Sequence, residues 1–179
     1  MLKWTKSQLG KLSNVPQSID MVGLVNGVIE VFKPIAGSKS ISLKLDSAVE
    51  SVHVTVDIEM IKSVVRNLIS NAIKFSHKDT AVVVHVRVQE VADENRTEAG
   101  NDKEVLVTVS DSGCGIKKED QEKLLNEATH FTTFGTDSEE GSGLGLLLCK
   151  DFVSKNHGRL WFTSEEGVGS NFNFTIPLK

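Results

Sequence analysis

Residues 58–75 constrain the chain more than any other stretch. Met60, Ile61, Val64, Val65, Leu68, Ile69, Ala72 and Ile73 recur there at helical spacing, and at about 100° per residue they line up as one apolar stripe. A stripe of that width needs a core to bury it. On the same helix Asn67, Asn71 and Lys74 fall within about 60° of arc. The spacing predicts a polar row on the side opposite the stripe. Asp57 stands where a helix cap belongs. The segment is therefore expected to anchor a core and, from another face, to present two amides and an ammonium group.

The remaining elements follow from pattern. Ser18-Ile-Asp20 precedes a helix over 20–37 with Met21, Leu24, Val25, Val28, Ile29 and Phe32 at helical spacing, although Pro34 counts against a clean run to its end. Alternating segments predict strands over 41–46, 52–56, 81–91 and 104–111, the last two joined by a polar hairpin loop over 92–103. A helix over 117–127, a Thr-, Gly- and acid-rich loop over 128–142 and a helix over 143–156 come next. Strands over 159–164 and 170–176 close the chain, joined by a turn at Gly167 and Gly169. Interleaved strands and helices with hairpins predict an α/β fold: a two-layer sandwich, its sheet mixed and mostly antiparallel, with helices on one face.

Bulk properties narrow the function. A length of 179 residues suits one domain with a real core, and 39% hydrophobic with 25% charged residues is an ordinary globular composition. The formal net charge is −4 and Lys and Arg are spread along the chain, which argues against a nucleic-acid binder. Cys114 and Cys149 belong to no CxxC pattern, and reduced thiols in a cytoplasmic setting are expected. No uninterrupted apolar run approaches the ~18 residues needed to span a bilayer, so no membrane contact is expected from this chain, and no signal peptide is visible.

Three segments carry chemistry. An Asn carbonyl oxygen suits Mg²⁺, which takes oxygen ligands and keeps its phosphates and waters. Lys74, one turn on, can meet a phosphate as a point charge, and Phe75 can lie against a base or ribose. The second segment is Asp111-Ser-Gly-Cys-Gly-Ile116. A carboxylate at a strand end can accept from an exocyclic amine, and Gly113 and Gly115 let backbone approach a flat ring. Cys114 reads as a small filler, with no partner placed to activate it. The third is Gly141-Ser-Gly-Leu-Gly-Leu146, glycines opening a helix whose first N–H groups can bind phosphate. Judged singly, each segment has an ordinary reading: a solvated helix face, an Asp-x-Gly turn, a glycine-hinged loop. Neither glycine cluster completes GxGxxG, and no GxxxxGK[ST] exists.

In this order the residues resemble the GHKL (Bergerat-fold) ATP-binding superfamily, and most closely the catalytic ATP-binding domain of sensor histidine kinases. Residues 67–76 resemble the N box, 111–116 the G1 box, 141–146 the G2 box, and 167–177 the closing strand of that fold. The match runs from about residue 20 to the C-terminus. The resemblance implies roles. Asn71 would hold Mg²⁺, with Asn67 nearby on the triphosphate, and Lys74 would contact phosphate. Asp111 would bind the adenine amine, with Gly113, Gly115 and Ile116 lining the base. Gly141, Gly143, Leu144, Gly145 and Leu146 would meet the phosphates as a lid closes, and Thr175 would sit behind the adenine. Asn67 and Lys74 would be the catalytic pair of a protein-histidine kinase using ATP and Mg²⁺.

Position 67 discriminates within the superfamily. Members that hydrolyse ATP place a Glu there, whereas the amide of Asn67 cannot act as a general base. The site resembles one that positions a phosphoryl group for another acceptor. The lid region 128–137 departs from the family pattern and lacks its arginine; Thr132, Thr133 and Thr136 are the hydroxyls available there. Arg159 stands where a second glycine is common, without expected catalytic consequence. None of the five histidines is followed by Glu or Asp, so the acceptor histidine is expected on a dimerisation segment outside this chain. Residues 1–15 resemble the remnant of a dimerisation helix and linker, and 16–179 the catalytic ATP-binding domain, a cytoplasmic fragment of a membrane-anchored sensor with a response-regulator receiver domain as downstream partner. The alternative is a nucleotide-responsive binding module, a degenerate kinase without phosphotransfer.

Overall fold

The computed structural model describes residues 14–91, 102–124 and 145–178. The expected helix end over 1–10, most of the 92–103 loop, the lid over 128–142 and residues Gly141, Gly143 and Leu144 lie outside the described residues. In chain order the elements are β1 (Pro16–Asp20), α1 (Met21–Ser38), β2 (Ser42–Ser47), β3 (His53–Asp57), α2 (Ile58–Phe75), β4 (Ala81–Glu90), β5 (Lys103–Asp111), α3 (Lys118–Leu124), α4 (Gly145–Lys155), β6 (Arg159–Glu165) and β7 (Gly169–Pro177).

Five strands form one sheet in the order β2-β4-β5-β7-β6, with β2 and β4 parallel and every other neighbour antiparallel. Its inward residues, Val82, Val84, Val86, Val105, Val107, Val109, Phe172, Phe174 and Ile176, are buried in one cluster with the apolar faces of α1, α2 and α4. The outward face is mostly polar, with Val83, Leu106 and Trp161 among its residues. Thr108 donates to Asn173 (2.8 Å), and Arg159 pairs with Glu104 (2.7 Å). This is the mixed, mostly antiparallel sheet with helices on one face that the pattern predicts.

The strand β1 was not foreseen. Pro-Gln-Ser-Ile-Asp shows no alternation and a single aliphatic residue, Ile19, but it pairs with β3 as a separate two-stranded sheet, from Pro16 opposite Asp57 to Asp20 opposite His53. Proline is tolerated at the first position of such a strand. The α1 helix runs through Pro34 to Ser38. Pro34 is exposed, so the carbonyl that loses its intrahelical donor can turn to water. Asp20 caps this helix, its Oδ1 accepting from Val22 N (3.1 Å) and from Val52 N (2.9 Å). With a mean hydropathy of 1.2 over 18 residues, α1 is long and apolar enough by composition to cross a bilayer, although polar residues interrupt it. Its Met21, Val25, Val28, Ile29 and Ala36 belong to the core.

The α2 helix occupies the range expected of it, and all eight residues of its apolar stripe are buried. Asp57 caps it, with Oδ1 accepting from Met60 N (3.1 Å) and Oδ2 from Val15 N (2.9 Å). Buried Asn156, just past α4, accepts from Asp57 N (2.8 Å) and donates to Phe152 O (2.7 Å). It thereby fastens the start of α2 to the end of α4. Asn156→Ala is expected to cost on the order of 3 kcal/mol, because it strands a buried backbone N–H and opens a cavity. Urea unfolding monitored by tryptophan fluorescence measures it; a loss under about 1 kcal/mol would show that water replaces the amide.

Candidate functional site

The polar row of α2 lies on a flank of the helix, and the expectation that it faces away from the apolar stripe is corrected. Glu59, Arg66 and Ser70 are the exposed residues of α2, while Asn67, Asn71, Lys74 and Phe75 are half-buried. At about 100° per residue the row sits roughly 120° from the middle of the stripe. The cause is α4, which packs beside α2 with Cys149 Sγ 3.9 Å from Val64 O. Its neighbour covers the row on one side.

Two glycines close on this row from different parts of the chain. A Cβ built on Gly145, the first residue of α4, would stand 2.7 Å from Asn67 Oδ1. One built on Gly113 would strike the carbonyl oxygen of Phe75. The Phe75 carbonyl also accepts from Cys114 N (3.1 Å). The row from Asn67 to Phe75, about 12 Å along the helix axis, thus runs from the start of α4 to the loop after β5. Along it, Asn67 Nδ2 donates to Ser63 O (3.3 Å) and Lys74 Nζ lies 4.9 Å from the centre of the Phe75 ring. Among the described residues, Asn71 has no side-chain hydrogen-bond partner. Its amide oxygen is a neutral hard donor of the kind Mg²⁺ accepts.

The loop after β5 is fastened on its other side to the β6–β7 turn. Gly115 has φ +68, and a Cβ there would strike Glu165 O. Gly167 N donates to Cys114 O (2.8 Å) and Ile116 N donates to Ser164 Oγ (2.9 Å). Gln121 of α3 bridges Ile116 O (2.9 Å) and Ser164 O (3.1 Å) through its Nε2. At the end of β5, Asp111 Oδ1 accepts from Gly113 N (2.9 Å). Burial pushes the Asp111 carboxyl above the ordinary Asp range, and the backbone N–H groups of Gly113 and Ser170 pull only partly against it. A carboxylate offers about four lone-pair sites, so acceptor capacity remains for a ligand's amine. Burial likewise raises the Cys114 thiol, and pushes Cys149 up to about 12; both stay protonated at neutral pH.

Two expected site residues fall elsewhere. Thr175 is buried, but it sits opposite Leu106 and Arg159 in the register, with the outward parity of Asn171 and Asn173. Its hydroxyl accepts from Arg159 N (3.3 Å). It is therefore on the sheet face turned away from Asp111. The residue opposite Asp111 is Ser170, whose hydroxyl meets Ser164 Oγ at 2.7 Å. A slip of an odd number of positions along a strand changes face, so Thr175 and Ser170 stand on opposite sides of the sheet. Leu146 directs its side chain into the core, so only its backbone is available at the helix start. Ser164, Ser170 and Gln121 join the loop after β5 through register and turn contacts that no local pattern marks.

The chain matches the model of the histidine kinase-, DNA gyrase B-, and HSP90-like ATPase family over residues 56–179. It is 33% identical over 175 residues to the sensor protein EvgS of Escherichia coli (strain K12), covering 97% of this chain and 14% of that protein. It is 34% identical over 156 residues to the adaptive-response sensory kinase SasA of Synechococcus sp. (strain JA-2-3B'a(2-13)), covering 87% of this chain and 38% of that one. The chain thus spans less than half the length of these relatives. The nucleotide-free catalytic domain of the histidine kinase ThkA superposes with a TM-score of 0.70 at 25% identity, covering 92% of this chain and 96% of that domain. Full-length ShkA, solved in complex with AMPPNP, gives 0.73 at 22% identity over 95% of this chain and 33% of that one, a likeness of fold. These matches show the family: the chain belongs to the histidine kinase-, DNA gyrase B- and HSP90-like ATPase family, as an ATP-binding catalytic domain of the histidine-kinase type.

Proposed function

We propose that this domain positions Mg²⁺–ATP for transfer of the γ-phosphoryl group to a histidine carried on a dimerisation segment of a longer kinase. The observation that carries the reading is that Gly113 and Gly145 both close against one row of α2. The groups proposed for the base and for the phosphates therefore share one helix. Asp111 accepts from the adenine amine, with Gly113, Gly115 and Ile116 beside the ring. Lys74 meets phosphate charge, and Asn67 orients the triphosphate beside Gly145 and the backbone of Leu146. Gly141, Gly143 and Leu144 belong to the same proposal, as the lid. Asn71 would supply one oxygen ligand to Mg²⁺, which neutralises phosphate charge when bound. With an amide at position 67 the row carries no general base for water, so the γ-phosphoryl group is held for an incoming imidazole. A response-regulator receiver domain is the proposed next acceptor; the ThkA kinase has been solved in complex with its response regulator TrrA.

Purified domain, the dimerisation segment of its parent kinase and γ-labelled ATP should give acid-labile label on histidine when Mg²⁺ is present. ATP binding without any such label would leave a nucleotide-responsive binding module and end the transfer reading. Gly145→Ala separates the ends of the site. The added methyl meets the tip of the Asn67 side chain, which can rotate away, so folding should survive. Losing one charge-assisted contact to phosphate would weaken ATP about tenfold, while adenosine affinity stays within about twofold. Calorimetry with both ligands reads the difference; an equal loss for both would move Asn67 away from the phosphates.

A further inference from the structure

Lys39 is a buried cation to which the site just proposed gives no role. It is the C-cap residue of α1 and its side chain lies inside the protein, the residue being 7% exposed. Desolvating an ammonium is costly, so its partners must compensate. Nζ donates to Ile73 O (3.0 Å) and to Lys74 O (2.8 Å), two carbonyls of the last turn of α2. Four carbonyls at a helix end have no intrahelical donor. Here each has another. Ala72 O accepts from Ser76 Oγ (2.6 Å), Ile73 O from Ser76 N (3.3 Å) and Lys39, Lys74 O from Lys39, and Phe75 O from Cys114 N (3.1 Å). The positive charge also faces the negative end of the helix macrodipole.

The placement has a consequence for the site. The carbonyls held by Lys39 belong to the residues immediately before Phe75, whose own carbonyl receives the loop after β5. Gly113 lies against that same oxygen. Lys39 reaches this junction from a third element, the end of α1, which is further tied to the turn after α2 by Asp79 N donating to Ser40 O (2.8 Å).

Resting on the nucleotide-site reading above, we propose that Lys39 is a positioning residue: it pins the last turn of α2 so that the Asn71–Lys74 row and Asp111 are held at the spacing one nucleotide needs. It touches no ligand. It acts through the Ile73 and Lys74 carbonyls and, by way of Phe75 O, through the Cys114 amide.

The test uses this chain with Lys39→Met, which keeps an unbranched side chain one atom shorter and removes its charge and donors. Under conditions where both proteins are fully folded, ATP affinity should fall about tenfold. Amide exchange at Cys114 should accelerate at least tenfold while exchange at Val107, in the middle of the sheet, stays within twofold. Lys39→Arg should restore both readouts to within about threefold. ATP affinity unchanged within twofold would overturn the proposal, and so would equal acceleration at Cys114 and Val107, the mark of a cap that only stabilises the fold. Should Lys39→Met fail to fold, Lys39→Gln is judged by the same two ratios. If the wild-type chain bound no ATP, the nucleotide-site reading would fail by itself, and the exchange comparison would still decide whether Lys39 pins the junction.

Discussion

Asp111→Asn should weaken binding of adenine nucleotides by one to two orders of magnitude while leaving the fold as stable as before, or more so. The carboxyl is half-buried and held by the backbone N–H groups of Gly113 and Ser170. Burial nevertheless keeps its proton affinity above that of an ordinary Asp, so the folded state favours the neutral form. A group shifted in that direction contributes stability below its unfolded pKa, about 3.9, and that contribution disappears as pH rises through the higher folded value. At neutral pH the ionised wild-type side chain is therefore a net burden on folding, and a neutral amide of the same shape relieves it. The advantage of the variant should shrink as pH falls and the wild type takes up its proton. For binding the sign is opposite. An amide that turns its NH₂ toward an exocyclic amine sets donor against donor, and a charge-assisted hydrogen bond worth about 1.5–3 kcal/mol is lost, roughly 10- to 150-fold in affinity. Calorimetry with ADP and a urea titration at two pH values test both halves. Unchanged ADP affinity would remove Asp111 from the base site.

The second large effect is structural. Gly115→Ala is expected to cost several kcal/mol and to take nucleotide binding with it. The residue has φ +68, and a left-handed conformation costs an L-residue with a side chain roughly 1–2 kcal/mol. The new methyl would also strike the carbonyl oxygen of Glu165, backbone in a strand that cannot retreat without breaking its ladder. Gly167 gives the control. Its φ is +81, yet nothing lies within 4 Å of a Cβ built there, so Gly167→Ala should show only the conformational cost. If the two alanine variants unfolded at the same urea concentration, the close approach of the loop after β5 to the β6–β7 turn would carry no weight.

Much of this molecule is legible along the chain because its signals are local. The α2 stripe repeats every three or four residues over about four turns, and Asp57 marks the start of the helix. A reader needs nothing distant to predict the helix, its bounds or the need for a core. The alternation of β4 and β5 is equally plain, and so is the glycine turn before β7. The ordered triplet of an amide row, a strand-end acid with glycines and a glycine-led helix start was visible for the same reason, each part being a pattern within about ten residues. β1 was missed because Pro16–Asp20 becomes a strand only through β3. The face that Thr175 occupies was not legible because strand register is set between chain segments, and Ser170 joins Asp111 through a pairing that no run of residues displays.

Local periodicity and turn chemistry therefore specify the elements, the apolar faces that must meet and the side chains available for a nucleotide. They leave open which flank of α2 meets α4, which side of the sheet each β7 residue occupies, and what caps the carbonyls at the end of α2. Those are settled where α1, α2, α4 and the loop after β5 pack together. A register, a helix rotation and a buried ammonium are each chosen by contacts between residues tens of positions apart, whose free energies exist only once the core has formed.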